Sequence, residues 1–127
     1  LFVHIFTHEY LAYPFEDKGD GDWMAREFFS GGMMPSHNLL LYFQDDLKIN
    51  SVWRLSGTHY EKTSLAWLQK MDQNRREVLD LFADTYGKEN AKIWFQRWRI
   101  FFMSCEQLFG YNRGREWGVS HYLFLKP

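Results

Sequence analysis

Residues 1–6 of the chain read LFVHIF, an apolar run composed mostly of residues that favour β-strands. A run that is hydrophobic on both faces predicts a buried strand of the kind found in parallel sheets. Such a strand needs neighbours on both sides. We therefore expect earlier strands of the same sheet to precede this run, so that the sequence starts inside the sheet.

Two further strands are predicted along the chain. Residues 47–55 alternate, and Leu47, Ile49, Ser51, Trp53 and Leu55 share one face. This pattern is typical of an edge-type strand with one face in water. Residues 116–126 alternate in the same way after a turn at residues 110–114.

Two long helices are predicted between the second and third strands. The apolar spacing indicates one helix over residues 60–86, which Gly87 ends, and another over residues 89–109. The second helix has a wide apolar face, which we expect both the sheet and the partner helix to cover. Strands and helices that alternate in this order predict an α/β fold.

Composition narrows the possible functions. Hydrophobic residues make up 46% of the 127 residues and aromatic residues 20%, enough for a core and for the lining of an organic-ligand pocket. The net charge of −1 gives no long-range field that would attract nucleic acid. Cys105 is the single cysteine, which fits a reducing, cytoplasmic location, and no apolar run reaches membrane-spanning length.

Familiar phosphate, metal and nucleophile motifs do not occur. No strand runs directly into Gly31-Gly32, so this pair does not form a phosphate loop. The aspartates at 17, 20 and 22 lack the spacing and the final glutamate of a calcium loop. His4 and His8 do not by themselves predict a metal site, and no Gly-x-Ser-x-Gly elbow is present.

The segment after the first strand is apolar and rich in methionine. A short helix is predicted over residues 23–29 with Asp22 as its cap, and a second one through residues 39–43 with Ser36 as its cap. Ligands of open α/β sheets bind beyond the carboxyl ends of strands, which His4 and Phe6 approach. The segment that follows contributes Tyr13, Phe28, Phe29, Met33 and Met34. It is consistent with a lid over a hydrophobic acceptor and equally with simple packing against the sheet.

His59 and Tyr60 follow the second strand directly, at the predicted start of the long helix. Side chains at this position can point into a cleft, where they donate a hydrogen bond or accept a proton. A pair that only packs at the helix end would have the same sequence.

Several strings together resemble one known family. They are FVHIFTH at 2–8, YPFE at 13–16, DWM at 22–24, FFSGGMMPS at 28–36, YFQDD at 42–46, WRLSGTHY at 53–60, FGYN at 109–112 and EW at 116–117. In order and spacing they resemble coclaurine-type N-methyltransferases and, more distantly, cyclopropane-fatty-acyl-phospholipid synthases. The resemblance covers essentially the whole chain.

The resemblance implies a Rossmann-like sheet of seven strands with helices on both faces. Residues 1–7 would be its fifth strand, residues 47–55 its sixth, and residues 116–126 an antiparallel seventh strand between them. Residues 1–127 would then form the C-terminal, acceptor-side half of a methyltransferase domain. The family binds S-adenosylmethionine mainly through upstream strands, so this chain alone is not expected to bind the cofactor.

The resemblance also implies roles for individual residues. His4 and Tyr60 match a histidine and a tyrosine that hold a bicarbonate base in the cyclopropane synthases, and they are the expected catalytic residues. Phe6 stands where that family has an isoleucine. The expected acceptor-binding residues are Phe6, Phe28, Phe29, Met33, Met34 and His59. No metal ion is expected.

The implied reaction is the N-methylation of a small amine or alkaloid-like acceptor by S-adenosylmethionine. An alternative is lipid modification, which predicts a long apolar tunnel and a basic membrane-facing patch. Another alternative is a non-catalytic fragment that binds a partner through an exposed sheet edge.

Overall fold

The computed structural model describes all 127 residues as strands and helices joined by short loops. The strands are β1 Phe2–His8, β2 Tyr13–Pro14, β3 Met33–Met34, β4 Lys48–Leu55 and β5 Trp117–Leu125. The α-helices are α1 Trp23–Phe28, α2 Gly57–Gln73, α3 Arg75–Tyr86 and α4 Ala91–Gly110. Short 3₁₀ turns cover Asp20–Asp22, Leu39–Tyr42 and Tyr111–Gly114.

The main sheet has three strands in the order β1-β5-β4, and β5 is antiparallel to both neighbours. His121 of β5 lies between His4 of β1 and Trp53 of β4. This arrangement confirms the predicted α/β fold with an antiparallel last strand between the other two.

Burial increases along β1 from one end to the other. Phe2 is 56% exposed and His4 is exposed, whereas Thr7 and His8 are buried. The prediction of a strand buried along its whole length is therefore wrong for its first half. Only the far end of β1 is covered by the segment at residues 35–37, which bonds to the backbone of His8.

A bulge interrupts the alternation of β4. Ile49 pairs with Phe124, but Ser51 pairs with Leu123, so Asn50 is an extra residue. Ile49 consequently joins the face of Val52, and its predicted position on the face of Trp53 is wrong.

The single long helix predicted over residues 60–86 is wrong in two respects. The helix begins earlier, at Gly57, and Asn74 divides it into α2 and α3. The Asn74 side chain donates a hydrogen bond of 2.8 Å to the Lys70 carbonyl. The backbone of Asn74 leaves the helical range, with φ −101° and ψ 30°, and this change separates α2 from α3. Gly87 ends α3 with a φ of 89°, as its position in the sequence predicted.

The segment between β1 and β4 forms a small hairpin that the sequence did not predict. Tyr13 pairs with Met34 and Pro14 with Met33. The expected helix caps are also wrong. The Asp22 carboxylate accepts the Lys18 N–H rather than capping α1, and the residues near Ser36 form a bridge to β1.

The wide apolar face of α4 packs against α2, α3 and β5. Phe95 and Phe109 of this helix are buried, as is Tyr122 of β5. Trp94 stacks on Tyr86 with ring centroids 4.2 Å apart, which joins α4 to α3. The prediction that the sheet and a partner helix cover α4 is confirmed. None of the helices has the length and apolar character needed to cross a membrane.

Candidate functional site

A cavity of about 500 Å³ lies between the hairpin, β1 and the helices α2 and α4. Fourteen of its twenty lining residues are hydrophobic. Its size and apolar walls are those of a pocket for a small organic ligand. Its principal walls are Phe15 and Met34 of the hairpin region, Phe6 of β1, Tyr60, Ser64 and Trp67 of α2, and Phe101, Phe102, Cys105 and Phe109 of α4.

Aromatic contacts connect the hairpin side of the cavity to α4. The ring centroid of Phe29 lies 5.1 Å from that of Phe15, 6.1 Å from that of Phe6 and 5.7 Å from that of Phe101. Phe28 stacks on Phe101 at 4.4 Å. The rings of Phe6, Phe15, Phe29 and Phe101 form a continuous wall that can hold a flat ligand by dispersion and ring contacts, and Phe28 packs behind this wall.

Hydrogen bonds on the opposite face of the sheet hold the segment that follows β3. The Ser120 hydroxyl lies 2.7 Å from His37 Nδ1 and 2.6 Å from the Thr7 hydroxyl. The Tyr122 hydroxyl donates to the His37 carbonyl at 2.6 Å. Burial, and next the charge of Arg54, lower the pKa of His37, so its ring is neutral at pH 7. These bonds keep the segment against the sheet without an ionised group at His37.

Tyr60 lies in the first turns of α2, where the Ser56 side chain caps the helix by accepting the Thr58 N–H. Its ring contacts Phe109 edge to face at 4.6 Å. Burial, with a smaller effect from Cys105, raises the pKa of Tyr60 above its ordinary value. Its hydroxyl is therefore protonated at pH 7 and can donate a hydrogen bond within the cavity.

Ser64 and Cys105 supply the other small polar groups of the lining. Ser64 is 1% exposed, and its hydroxyl has no hydrogen-bond partner. Burial raises the pKa of the Cys105 thiol to about 11. At pH 7 this thiol is neutral and is not a nucleophile.

The Cys105 thiol is expected to react very slowly with a small disulfide reagent at pH 8 in the folded protein. With a pKa of about 11, only about one thiol in a thousand is ionised at that pH. Since this pKa lies above the ordinary value of 9.0, the associated stability is present below pH 9 and is lost toward pH 11. Thiol titration with and without guanidinium measures the reactivity, with Cys105→Ala as the blank. Complete labelling of the folded protein within seconds would contradict the prediction.

The rim of the cavity is charged. Glu16, Lys18 and Asp22 line it from the loop before α1, and Glu16 forms an ion pair with Lys18. The carboxylates at the rim therefore make the entrance polar while the walls remain apolar.

The structure brings together only some of the residues that the sequence singled out. Phe6, Phe29, Met34 and Tyr60 line the cavity. Phe28 lies outside the lining, against Trp98 and Phe101 of α4. Met33 is 44% exposed in the hairpin, and His59 is exposed on α2.

His4 lies away from these residues, on the open part of the sheet. Its Nδ1 atom is 2.7 Å from Nε2 of His121, and the two rings are 4.7 Å apart. The side chain is exposed and does not line the cavity. The geometry thus groups His4 with His121 rather than with Tyr60.

The sequence analysis did not identify the part of the site that α4 contributes. Phe101, Phe102 and Cys105 had been interpreted as the apolar, core-facing side of a helix, and Ser64 had not been singled out. Along a helix, apolar residues that line a cavity recur with the same spacing as apolar residues that pack in a core. Only the position of the hairpin opposite α4 distinguishes them.

Comparisons with known proteins show sequences and folds that are similar to this chain. The chain is 38% identical to an (S)-coclaurine N-methyltransferase of Thalictrum flavum over 130 residues, which are 99% of the chain and 36% of that relative. It matches a crystal structure of coclaurine N-methyltransferase bound to N-methylheliamine and SAH, with a TM-score of 0.86 and 38% identity. The chain matches the C-terminal part of coclaurine N-methyltransferases.

A second N-methyltransferase sequence and a more distant solved structure are also similar to the chain. A pavine N-methyltransferase of Thalictrum flavum is 37% identical over 99% of the chain. The apo form of a mycolic acid cyclopropane synthase shares the fold with a TM-score of 0.62 and 17% identity, covering 98% of the chain and 46% of that protein. No protein-family model matches the chain.

The coverage of these proteins is partial. The chain spans 36% of the length of the coclaurine N-methyltransferase relative and 37% of the matched coclaurine N-methyltransferase crystal structure, while 98% of the chain is covered by that structure. The likeness therefore extends over the whole of this chain and over about a third of each of those relatives.

Proposed function

We propose that residues 1–127 form the acceptor-side part of an S-adenosylmethionine-dependent N-methyltransferase that acts on a small alkaloid-like amine. The aromatic cavity between the hairpin, α2 and α4 carries this proposal, since it is built for a flat organic ligand. The similar coclaurine N-methyltransferase structure is bound to N-methylheliamine and SAH.

The cavity suits the charge changes of amine methylation. The nitrogen must be neutral when it attacks and becomes positively charged as the new bond forms. Rings such as Phe29, Phe101 and Phe102 present faces that stabilise a cation. At the rim, where Lys18 pairs with Glu16, the Asp22 carboxylate attracts an amine in its protonated form before it enters.

S-Adenosylmethionine itself does not fit this cavity. Its ribose, its amino-acid group and its sulfonium need several charged or hydrogen-bonding partners, whereas the walls offer mainly rings and methionines. No strand in residues 1–127 runs into a glycine-rich phosphate loop. We therefore place the groups that bind the cofactor outside this cavity and assign the cavity to the acceptor.

Tyr60 is the polar group that we assign to the acceptor. Tyr60 lines the cavity, and its protonated hydroxyl can orient the acceptor or a water molecule that takes part in proton removal. Phe6, Phe29 and Met34 supply apolar contacts around it. His4 has no part in the proposal, because its ring bonds to His121 outside the cavity.

The rim distinguishes the amine acceptor from the lipid alternative. A site that draws unsaturated chains from an anionic membrane benefits from a basic surface at its entrance. Here the loop at the entrance carries four carboxylates, of which Glu16 pairs with Lys18 and Asp17 pairs with Arg26 of α1. The aspartates at 20 and 22 keep their charge without a paired cation and leave the entrance acidic rather than basic. This charge distribution favours a cationic small molecule.

A transfer assay tests the proposal. The full-length protein that contains this chain is incubated with S-adenosylmethionine labelled at the methyl carbon, together with a secondary-amine alkaloid or with vesicles of unsaturated phospholipid. Label is expected in the alkaloid and not in the lipid. Label confined to the lipid, or no transfer to any acceptor, would contradict the proposal.

A further inference from the structure

Ser64 is a buried polar side chain that the fold leaves without a partner. It is 1% exposed, and no atom of the protein forms a hydrogen bond with its hydroxyl. Buried hydroxyls almost always have a partner, because desolvation without compensation is unfavourable. An exception inside a ligand-sized cavity indicates a group that a ligand can satisfy.

The backbone of α2 can accept a hydrogen bond from a side-chain hydroxyl, as the residue before Ser64 shows. Thr63, one position earlier, donates its hydroxyl to the carbonyl of His59 at 2.9 Å. This is the usual bond to the carbonyl four residues back. Ser64 does not make the corresponding bond and lies among the residues that line the cavity.

Tyr60 lies one helical turn before Ser64 and also lines the cavity. Residues four apart on a helix share one face, so Tyr60 and Ser64 lie side by side in an otherwise apolar lining. Across the cavity are Cys105, whose thiol is neutral, and the rings of Phe102 and Phe109. No ionised side chain belongs to this part of the lining, since the charged residues of the cavity are at its rim.

We propose that Ser64 and Tyr60 form a neutral hydrogen-bonding subsite that recognises an oxygen substituent, such as a hydroxyl group, on the ring system of the acceptor. Ser64 can both donate and accept a hydrogen bond, and Tyr60 can donate one. An uncharged oxygen suits the subsite because the apolar walls would leave a carboxylate or an ammonium without a counter-charge. This inference rests on the proposed function for the assignment of the cavity to the acceptor.

The test compares two probes that differ by one hydroxyl group. Hydroxytetrahydroisoquinoline and unsubstituted tetrahydroisoquinoline are titrated by calorimetry into the full-length protein and into two variants. Ser64→Ala removes the hydroxyl of the subsite. Thr63→Val is the matched control, since it removes the adjacent hydroxyl that is bonded to the helix. Methylation of each probe is recorded separately.

The unmodified protein is expected to bind the hydroxylated probe at least about tenfold more tightly than the other probe. Ser64→Ala should reduce this preference by about fivefold or more, whereas Thr63→Val should keep it. The subsite is overturned if Ser64→Ala prefers the hydroxylated probe as strongly as the unmodified protein does, or if the unmodified protein binds neither probe. Preferential binding that depends on Ser64 without any methylation supports the subsite and contradicts the proposed methyl transfer.

Discussion

Replacing Gly57 with alanine is expected to prevent stable folding. A Cβ atom at this position would lie 2.1 Å from the carbonyl oxygen of Trp117 and 2.3 Å from that of Phe109. Both are backbone atoms, so no rotation of a side chain relieves the overlap. The first residue of α2 would have to move away from β5 and from the end of α4 together. We expect a loss of more than about 4 kcal/mol, a large part of the stability of an ordinary domain.

Thermal unfolding followed by circular dichroism measures this effect. Gly19→Ala is the matched control, because a Cβ atom there would have no heavy atom within 4 Å. The control should melt within a few degrees of the unmodified protein. A Gly57→Ala variant that melts equally close to it would show that the contact between α2, α4 and β5 is looser than described.

Replacing Tyr60 with phenylalanine is expected to slow methyl transfer by about a hundredfold, the usual contribution of one positioned proton-transfer or hydrogen-bonding group. The ring remains in contact with Phe109, so packing is conserved and only the hydroxyl is lost. Binding of S-adenosylmethionine should change little, because Tyr60 faces the acceptor cavity. Single-turnover transfer and cofactor titration separate the two quantities.

Tyr42→Phe makes the same chemical change at a site where the ring is 81% exposed, and it should leave transfer unchanged. Thermal melts establish that both variants are folded. Full turnover of Tyr60→Phe with every acceptor tested would remove Tyr60 from the site. The same assay on His4→Ala decides whether the histidine implied by the family resemblance takes part in transfer.

The sequence predicted those features of the fold that depend on local periodicity. The runs at the positions of β1, β4 and β5 are apolar or alternating, and the helices between them carry clear apolar faces. The resemblance supplied the order of the strands, which periodicity does not determine. The bulge at Asn50 was missed because one extra residue leaves the composition of a strand unchanged.

The candidate site was only partly predictable for a different reason. Phe6, Phe29, Met34 and Tyr60 were singled out and line the cavity, but spacing along the chain did not show which side of the small hairpin faces α4. The hairpin pairs residues twenty-one and nineteen positions apart, Tyr13 with Met34 and Pro14 with Met33. Pairing over such a distance depends on the tertiary structure, which also determines that Met33 is exposed and Met34 is buried.

Because β5 lies in the middle of the three-stranded sheet, the sheet cannot form until β5 has been synthesised. The ribosome makes β1 and β4 well before β5, and in the finished sheet these two strands touch only through it. Phe2 pairs with Leu123, which is synthesised more than a hundred residues later. Topologies of this kind have high contact order and fold slowly, and their unpaired strand edges are open to aggregation in the meantime. The nascent chain therefore exposes the edges of β1 and β4 that face β5 until β5 leaves the exit tunnel.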